Sequence, residues 1–266
     1  MKIAGSTLIF SELPLVDTIQ RVADLGFRYI DLALIEGWAN LSPSTVVGHE
    51  TEVSSRLLSA CEASGIRPAG LNLGLGQVSV EIQIERIQAV GKIACRLGVT
   101  TLTIGASRPQ LSSLANEINR LRRLTVETAA QGLTLNVETH LDTCTEDPDI
   151  CLQLVREVPG LGITLDLTHF AIGPFWKQGY EALLPFVRHV HLRPSGRNRD
   201  DEIQVAVGDG VIDFNKLIRD LNRHAYQGTL SVEYVSAIPG VDHLAESRRL
   251  HQHVTEITAR HQIALE

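Results

Sequence analysis

Positive charge is in short supply in this chain. Its 24 lysines and arginines are outnumbered by 31 acidic residues, a formal net charge of −7. Proteins that grip nucleic acid or an anionic membrane surface normally carry a basic patch, so the balance excludes both roles. Cysteine is sparse as well. Cys61, Cys95, Cys144 and Cys151 form no CxxC or CxxxxC pair, which argues against a zinc module or a disulfide scaffold and for free thiols in a reducing compartment. No stretch approaches the ~18 apolar residues of a membrane span. The start, Met1-Lys-Ile-Ala-Gly-Ser6, has no long apolar leader core, and a cytoplasmic location is expected. Nor does a GxGxxG loop follow the first strand-like run. The nearest match, Gly70-Leu-Asn-Leu-Gly-Leu-Gly76, follows the third run and lacks the spacing, which weighs against a doubly wound nucleotide-binding sheet. No linker or low-complexity tract divides the 266 residues, so one domain over 1–266 is expected.

What is present is a repeated punctuation mark. A glycine closes a helical pattern and an apolar run follows, at Gly26, Gly65, Gly98, Gly132, Gly160 and Gly228. Glycine suits the left-handed residue that ends a helix before the chain turns into a strand. The last interval is about double the others because it contains another run, Val187-Arg-His-Val-His-Leu192, and Lys2–Thr7 adds one more at the start. Between the runs lie helical periods such as Ile87, Val90, Ala94 and Leu97, and Leu114, Ile118 and Leu121. The sixth helical segment, Tyr180 to Leu184 between Gly179 and Pro185, is the weakest. Eight alternating units of this kind predict an α/β fold, a single (β/α)8 TIM barrel. The long loops 37–48 and 193–210 then lie on the catalytic face.

The chemistry sits at the ends of the last four runs. Leu133–Glu138 ends in Glu138, Leu161–Asp166 in Asp166, Thr229–Glu233 in Glu233, and His191 stands near the end of the seventh. In a barrel these ends share one rim. Three carboxylates crowded there would repel one another, and a divalent cation resolves that. Two Glu, one Asp and one His suit Mn²⁺, Mg²⁺ or Co²⁺, with Zn²⁺ compatible. His169, three residues after Asp166, and Arg197, six after His191, are candidate substrate contacts, as are His140 and Trp38. Phe10 could wall the pocket beside Trp38. His189, in phase with His191, reads as a packed, hydrogen-bonded imidazole. Arg193 and Arg199 read as solvated loop charges, and Asp31 and Asn72 as the ends of the second and third strands. His243, His251, His253 and His261 read as surface residues of the last helix.

The order Glu138, Asp166-Leu-Thr-His169, His191, Glu233 resembles the xylose isomerase-like TIM-barrel superfamily. Within it the likeness is greatest to the sugar phosphate isomerase/epimerase group that includes the ketose 3-epimerases. Val137-Glu-Thr-His140, His189-Val-His191 with Arg197, and Gly208-Asp-Gly-Val-Ile-Asp-Phe214 carry the resemblance further. It implies that Glu138, Asp166, His191 and Glu233 bind one divalent metal. It also implies that His169 and Arg197 hold substrate oxygens and that the two glutamates are the acid/base pair. The expected activity is isomerisation or epimerisation of a sugar or polyol ketone through a metal-bound enediolate. A metal-dependent dehydratase is the alternative, and a non-catalytic sugar-binding barrel a third reading. The segment Leu192-Arg-Pro-Ser-Gly-Arg197 departs from the Gly-Glu-x-Asn-Arg pattern of the better-known 3-epimerases, and no D-x-H follows the seventh strand as in the three-metal nucleases. The expected partner is a small carbohydrate; a homo-oligomer is left open.

Overall fold

A computed structural model describes residues 1–266. Eight parallel strands close in sequence order, and the last pairs back onto the first. They are β1 (Lys2–Ser6), β2 (Tyr29–Ile35), β3 (Arg67–Gly74), β4 (Thr101–Ile104), β5 (Thr134–Glu138), β6 (Gly162–Asp166), β7 (Val187–Leu192) and β8 (Thr229–Val232). The helices are α1 (Leu15–Asp24), α2 (Glu50–Ser64), α3 (Val80–Leu97), α4 (Leu114–Ala129), α5 (Pro148–Glu157), α6 (Leu167–Ile172), α7 (Phe214–Arg223) and α8 (His243–Arg260). The result is a single (β/α)8 TIM barrel. None of its helices is long and apolar enough to cross a membrane.

Local chemistry accounts for most boundaries. Gly65 and Gly98 end α2 and α3 in the left-handed conformation, where a side chain would be strained. Gly228 differs. The left-handed residue after α7 is Ala225, at φ 54°. Position 228 needs glycine for room, because a Cβ there would lie 2.5 Å from the Arg188 carbonyl oxygen. The sixth unit also departs from expectation. Its α-helix is not Tyr180–Leu184 but the short α6, which starts directly off β6 with Asp166 as its N-cap. The Tyr180 region forms a 3₁₀ turn over Glu181–Phe186, and Pro185 within it has no N–H with which to continue an α-helix.

Two layers of side chains follow from strand alternation. One set, including Ile30, Leu32, Leu102, Leu135, Ile163, Val190 and Leu230, is buried in the main apolar core. The alternate positions include Asp31, Asn72, Thr103, Asn136, Thr164, His189 and Ser231, all buried. The Thr103 and Thr164 hydroxyls are 2.7 Å apart. Along these in-phase rows lie the groups of the rim. One helix residue also corrects the sequence reading. His251 is half-buried rather than a free surface residue of α8: its ring stacks on Phe27 at 4.5 Å, and burial lowers its pKa.

Candidate metal centre and pocket

Glu138 is the last residue of β5 and Asp166 the last of β6. His191 pairs in register with Asp166 from β7. Glu233 follows β8 directly, its backbone N–H donating to the Leu192 carbonyl at 3.0 Å. All four side chains are buried, and one ligand atom from each lies within 4.8 Å of the others. His191 turns Nδ1 toward the acids, 2.7 Å from Glu138 Oε1 and 3.2 Å from Glu233 Oε2. Asn72 Nδ2 donates to the other Glu233 oxygen at 3.2 Å.

The electrostatics describe a cluster that could hold a cation. Asp166 is fully buried and its pKa is raised by desolvation, which nearby Arg193 only partly offsets. One of its oxygens accepts from the Thr168 N–H at 2.8 Å, while Oδ2 has no hydrogen-bond donor. Burial opposes a charge on His191, but Glu233 and Glu138 outweigh it and lift the imidazole well above its ordinary pKa. Without metal, then, a proton on His191 serves as the counter-charge. A buried carboxylate oxygen without a donor, two glutamates and an imidazole aimed at one point fit a divalent ion, and the oxygen-rich set favours Mg²⁺, Mn²⁺ or Co²⁺.

Beneath the cluster is a second layer. His189 Nε2–H donates to Asp31 Oδ2 at 2.7 Å, and His191 Nε2 faces the same oxygen at 3.7 Å. Burial works against the Asp31 charge, but the two imidazoles outweigh it and hold the carboxyl well below the usual range. Gly70 makes the room: a Cβ there would meet Asp31 Oδ1 at 2.7 Å and His189 Cε1 at 2.8 Å. A carboxylate behind a metal-ligating imidazole fixes its tautomer and orientation, and loss of such a partner typically costs 10–100-fold in metal affinity. D31N is expected to weaken Mn²⁺ binding by about that factor in calorimetry. Unchanged affinity would show that Asp31 serves His189 alone.

Two members of the cluster, Glu138 and Glu233, line a cavity of about 490 Å³, together with Trp38, His140, His169, Arg193 and Arg199. His169 Nε2 lies 3.4 Å from Asp166 Oδ2, and its ring packs against His140 at 3.9 Å, the two planes tilted by 31°. Burial first, then His140 and Arg193, push His169 well below its ordinary pKa, so it is neutral at physiological pH. Trp38 stands at the mouth, 54% exposed. Phe10 is buried in the main core and does not line the cavity. Arg197, expected as a substrate contact, is exposed, absent from the cavity wall, and carries its guanidinium over Trp176 at 5.4 Å.

Arg193 corrects the reading in the other direction. It is not a solvated loop charge but a buried side chain at the cavity floor, its Nη2 3.6 Å from Asp166 Oδ2. Strand parity could have found it, since residue 193 continues the in-phase row of His189 and His191. Asp31 is likewise not at the end of β2; it is the third of seven residues and points into the barrel. An acid inside an otherwise apolar strand was the available signal, because such a group is buried only with a partner.

A closed barrel holding buried acids and imidazoles at the C-terminal ends of its strands is the arrangement on which barrel enzymes build their sites. The family model described as a xylose isomerase-like TIM barrel matches residues 19–253, and the chain belongs to that family. Three solved structures show the same fold. One is a xylose isomerase-like TIM barrel protein from Mycobacterium smegmatis in complex with magnesium, 18% identical, covering 99% of this chain and 98% of that one, TM-score 0.78. Another is a D-allulose 3-epimerase from Methylomonas, 17% identical, covering 97% and 98%, TM-score 0.75. The third is a probable 3-DHS dehydratase from Bacillus anthracis, 19% identical, covering 96% and 99%, TM-score 0.72. At these identities the likeness is one of fold.

Proposed function

We propose that the protein is a divalent-metal-dependent isomerase or epimerase of a sugar or sugar-like polyol ketone, with Glu138, Asp166, His191 and Glu233 as the metal ligands. The observation that carries this reading is the convergence of those four buried groups within 4.8 Å of one another, with Glu138 and Glu233 lining an open cavity. A cation held there would polarise a ketone oxygen and acidify the neighbouring C–H.

The side chains supply the rest. Glu138 and Glu233 reach the floor from β5 and β8, three strands apart around the barrel. One can take a proton from carbon and the other return one from a different side. Asn72 restrains one oxygen of Glu233. Neutral His169 can exchange hydrogen bonds with a substrate hydroxyl, since its Nδ1 has no partner. His140 packs against the ring, and its own Nδ1–H donates to the Leu141 carbonyl at 2.7 Å. Arg193 Nε also lacks a partner and faces the same floor. The likeness to a D-allulose 3-epimerase supports this chemistry.

The test is a panel of ketoses and inososes incubated in D₂O with protein loaded with Mn²⁺ or Mg²⁺ and followed by NMR. Deuterium is expected to enter a carbon next to the carbonyl of at least one substrate. Absence of exchange across the panel, with metal bound, would sink the reading. A carbon–oxygen lyase begins with the same proton abstraction, and a neighbour of this fold is a probable dehydratase. A new UV-absorbing enone would transfer the assignment to that reaction.

A further inference from the structure

We infer that this site takes an uncharged polyol ketone bearing an apolar substituent, and not a sugar phosphate. The inference rests on the reading of the cavity as a ketone isomerase or epimerase site.

Phosphate recognition needs free backbone N–H groups, a helix N-terminus or an unpaired guanidinium. In TIM barrels the usual seat is built from the loops after the seventh and eighth strands. Here the chain fills those seats with its own carboxylates. In the loop after β7, Glu202 Oε2 accepts from the Arg197 and Asn198 N–H groups at 2.8 and 2.9 Å. Farther along, Glu246 Oε2 accepts from the Val207 N–H at 2.7 Å. At the start of α8, Asp242 accepts from the Leu244 and Ala245 N–H groups. A phosphate brought to this rim would meet these acids instead of open donors.

The arginines are committed too. Arg199 is ion-paired with Asp142, and Arg197 is turned away over Trp176. Only Arg193 keeps a free donor inside. It is buried beside Asp166, where its charge offsets a buried carboxylate.

Much of the rest of the cavity wall is apolar. Leu8, Ile35, Trp38, Leu73, Val235 and Ile238 line it. Leu8 and Val235 belong to a small apolar cluster separate from the main core, and Ile35 and Ile238 lean on it. An exposed indole beside such a wall marks a binding surface, whereas a lone exposed apolar residue would not. A six-carbon sugar on the floor would leave this wall and much of the 490 Å³ unfilled.

The test uses matched sets of a ketose or inosose, its phosphate ester and its benzyl ether at the same distal hydroxyl, with metal-loaded protein. Deuterium exchange gives relative kcat/KM, and thermal shift gives relative binding whether or not exchange occurs. The benzyl ether is expected to exceed the parent at least tenfold and the phosphate to fall below it. W38A is expected to collapse the benzyl-to-parent ratio. A phosphate equal to or better than its parent, or a benzyl ether no better, in both readouts overturns the inference. If some member exchanges while the benzyl ether gains nothing, the proposed reaction stands and only the substrate class fails. If none exchanges, the proposed reaction fails, and the thermal-shift ratios alone decide the inference: a benzyl ether that binds no better than its parent, or a phosphate that binds as well, overturns it.

Discussion

E138Q and E233Q are each expected to lose activity by about 10²–10⁴-fold, the usual worth of a positioned acid or base. The substitutions are nearly isosteric, and a carboxamide keeps one oxygen that can face a metal. The loss should therefore fall on kcat far more than on metal content. The structure gives the two variants different side effects. Glu138 Oε1 is the 2.7 Å partner of His191 Nδ1, whereas Glu233 also accepts from Asn72. E138Q should accordingly weaken metal binding more than E233Q. Exchange kinetics in D₂O together with metal analysis of each purified variant check both points. Wild-type turnover in both variants on an accepted substrate would remove the acid/base assignment.

Removing the metal is expected to abolish turnover and lower the thermal midpoint. Ligand at a hundred times its dissociation constant stabilises by about 2.7 kcal/mol. At about 2–4 °C per kcal/mol, chelation should lower the midpoint by roughly 5–10 °C. The gap should also depend on pH. His191 in the metal-free protein has its pKa raised well above the ordinary value of 6.5. A raised folded-state pKa gives stability that is full below the unfolded value and lost as pH rises through the folded one. The metal-free protein therefore weakens upward from neutrality, while metal, which needs an unprotonated nitrogen, binds better over the same range. The midpoint difference with and without Mn²⁺ should widen from pH 6 to 9. His169, whose pKa is lowered, costs stability below its ordinary value with and without metal and largely cancels in the difference. Differential scanning calorimetry at several pH values measures the gap. A gap that narrowed as pH rose would contradict the proton-for-metal exchange.

Much of the barrel was readable because its signals are local. An apolar run ending in a polar group marks a strand and its rim, and this singled out Glu138, Asp166, His191 and Glu233 without any contact being known. Where the rule failed, the failure has a cause. Asp31 lies inside β2 and not at its end, because Leu32, Ala33, Leu34 and Ile35 extend the strand beyond it. Arg193 lies one residue past β7, yet the in-phase direction of the strand persists and carries it to the floor. Arg197 sits six positions beyond His191 in a loop whose course is set by its own hydrogen bonds, with Glu202 holding the backbone at 197 and 198. Spacing along the chain cannot say which way such a guanidinium points.

By itself, then, the sequence determined the number of βα units, the order of the strands and the residue types at their C-terminal ends, since periodicity, glycine caps and alternation act within a few residues. Tertiary structure alone decided which of those residues meet. Closure of β8 onto β1 and the stagger between strands bring Asn72 to Glu233 and Asp31 beneath His191. The apolar wall likewise joins Leu8, after the first strand, to Val235, after the last. These contacts join residues more than a hundred positions apart, and no pattern of local period carries that information.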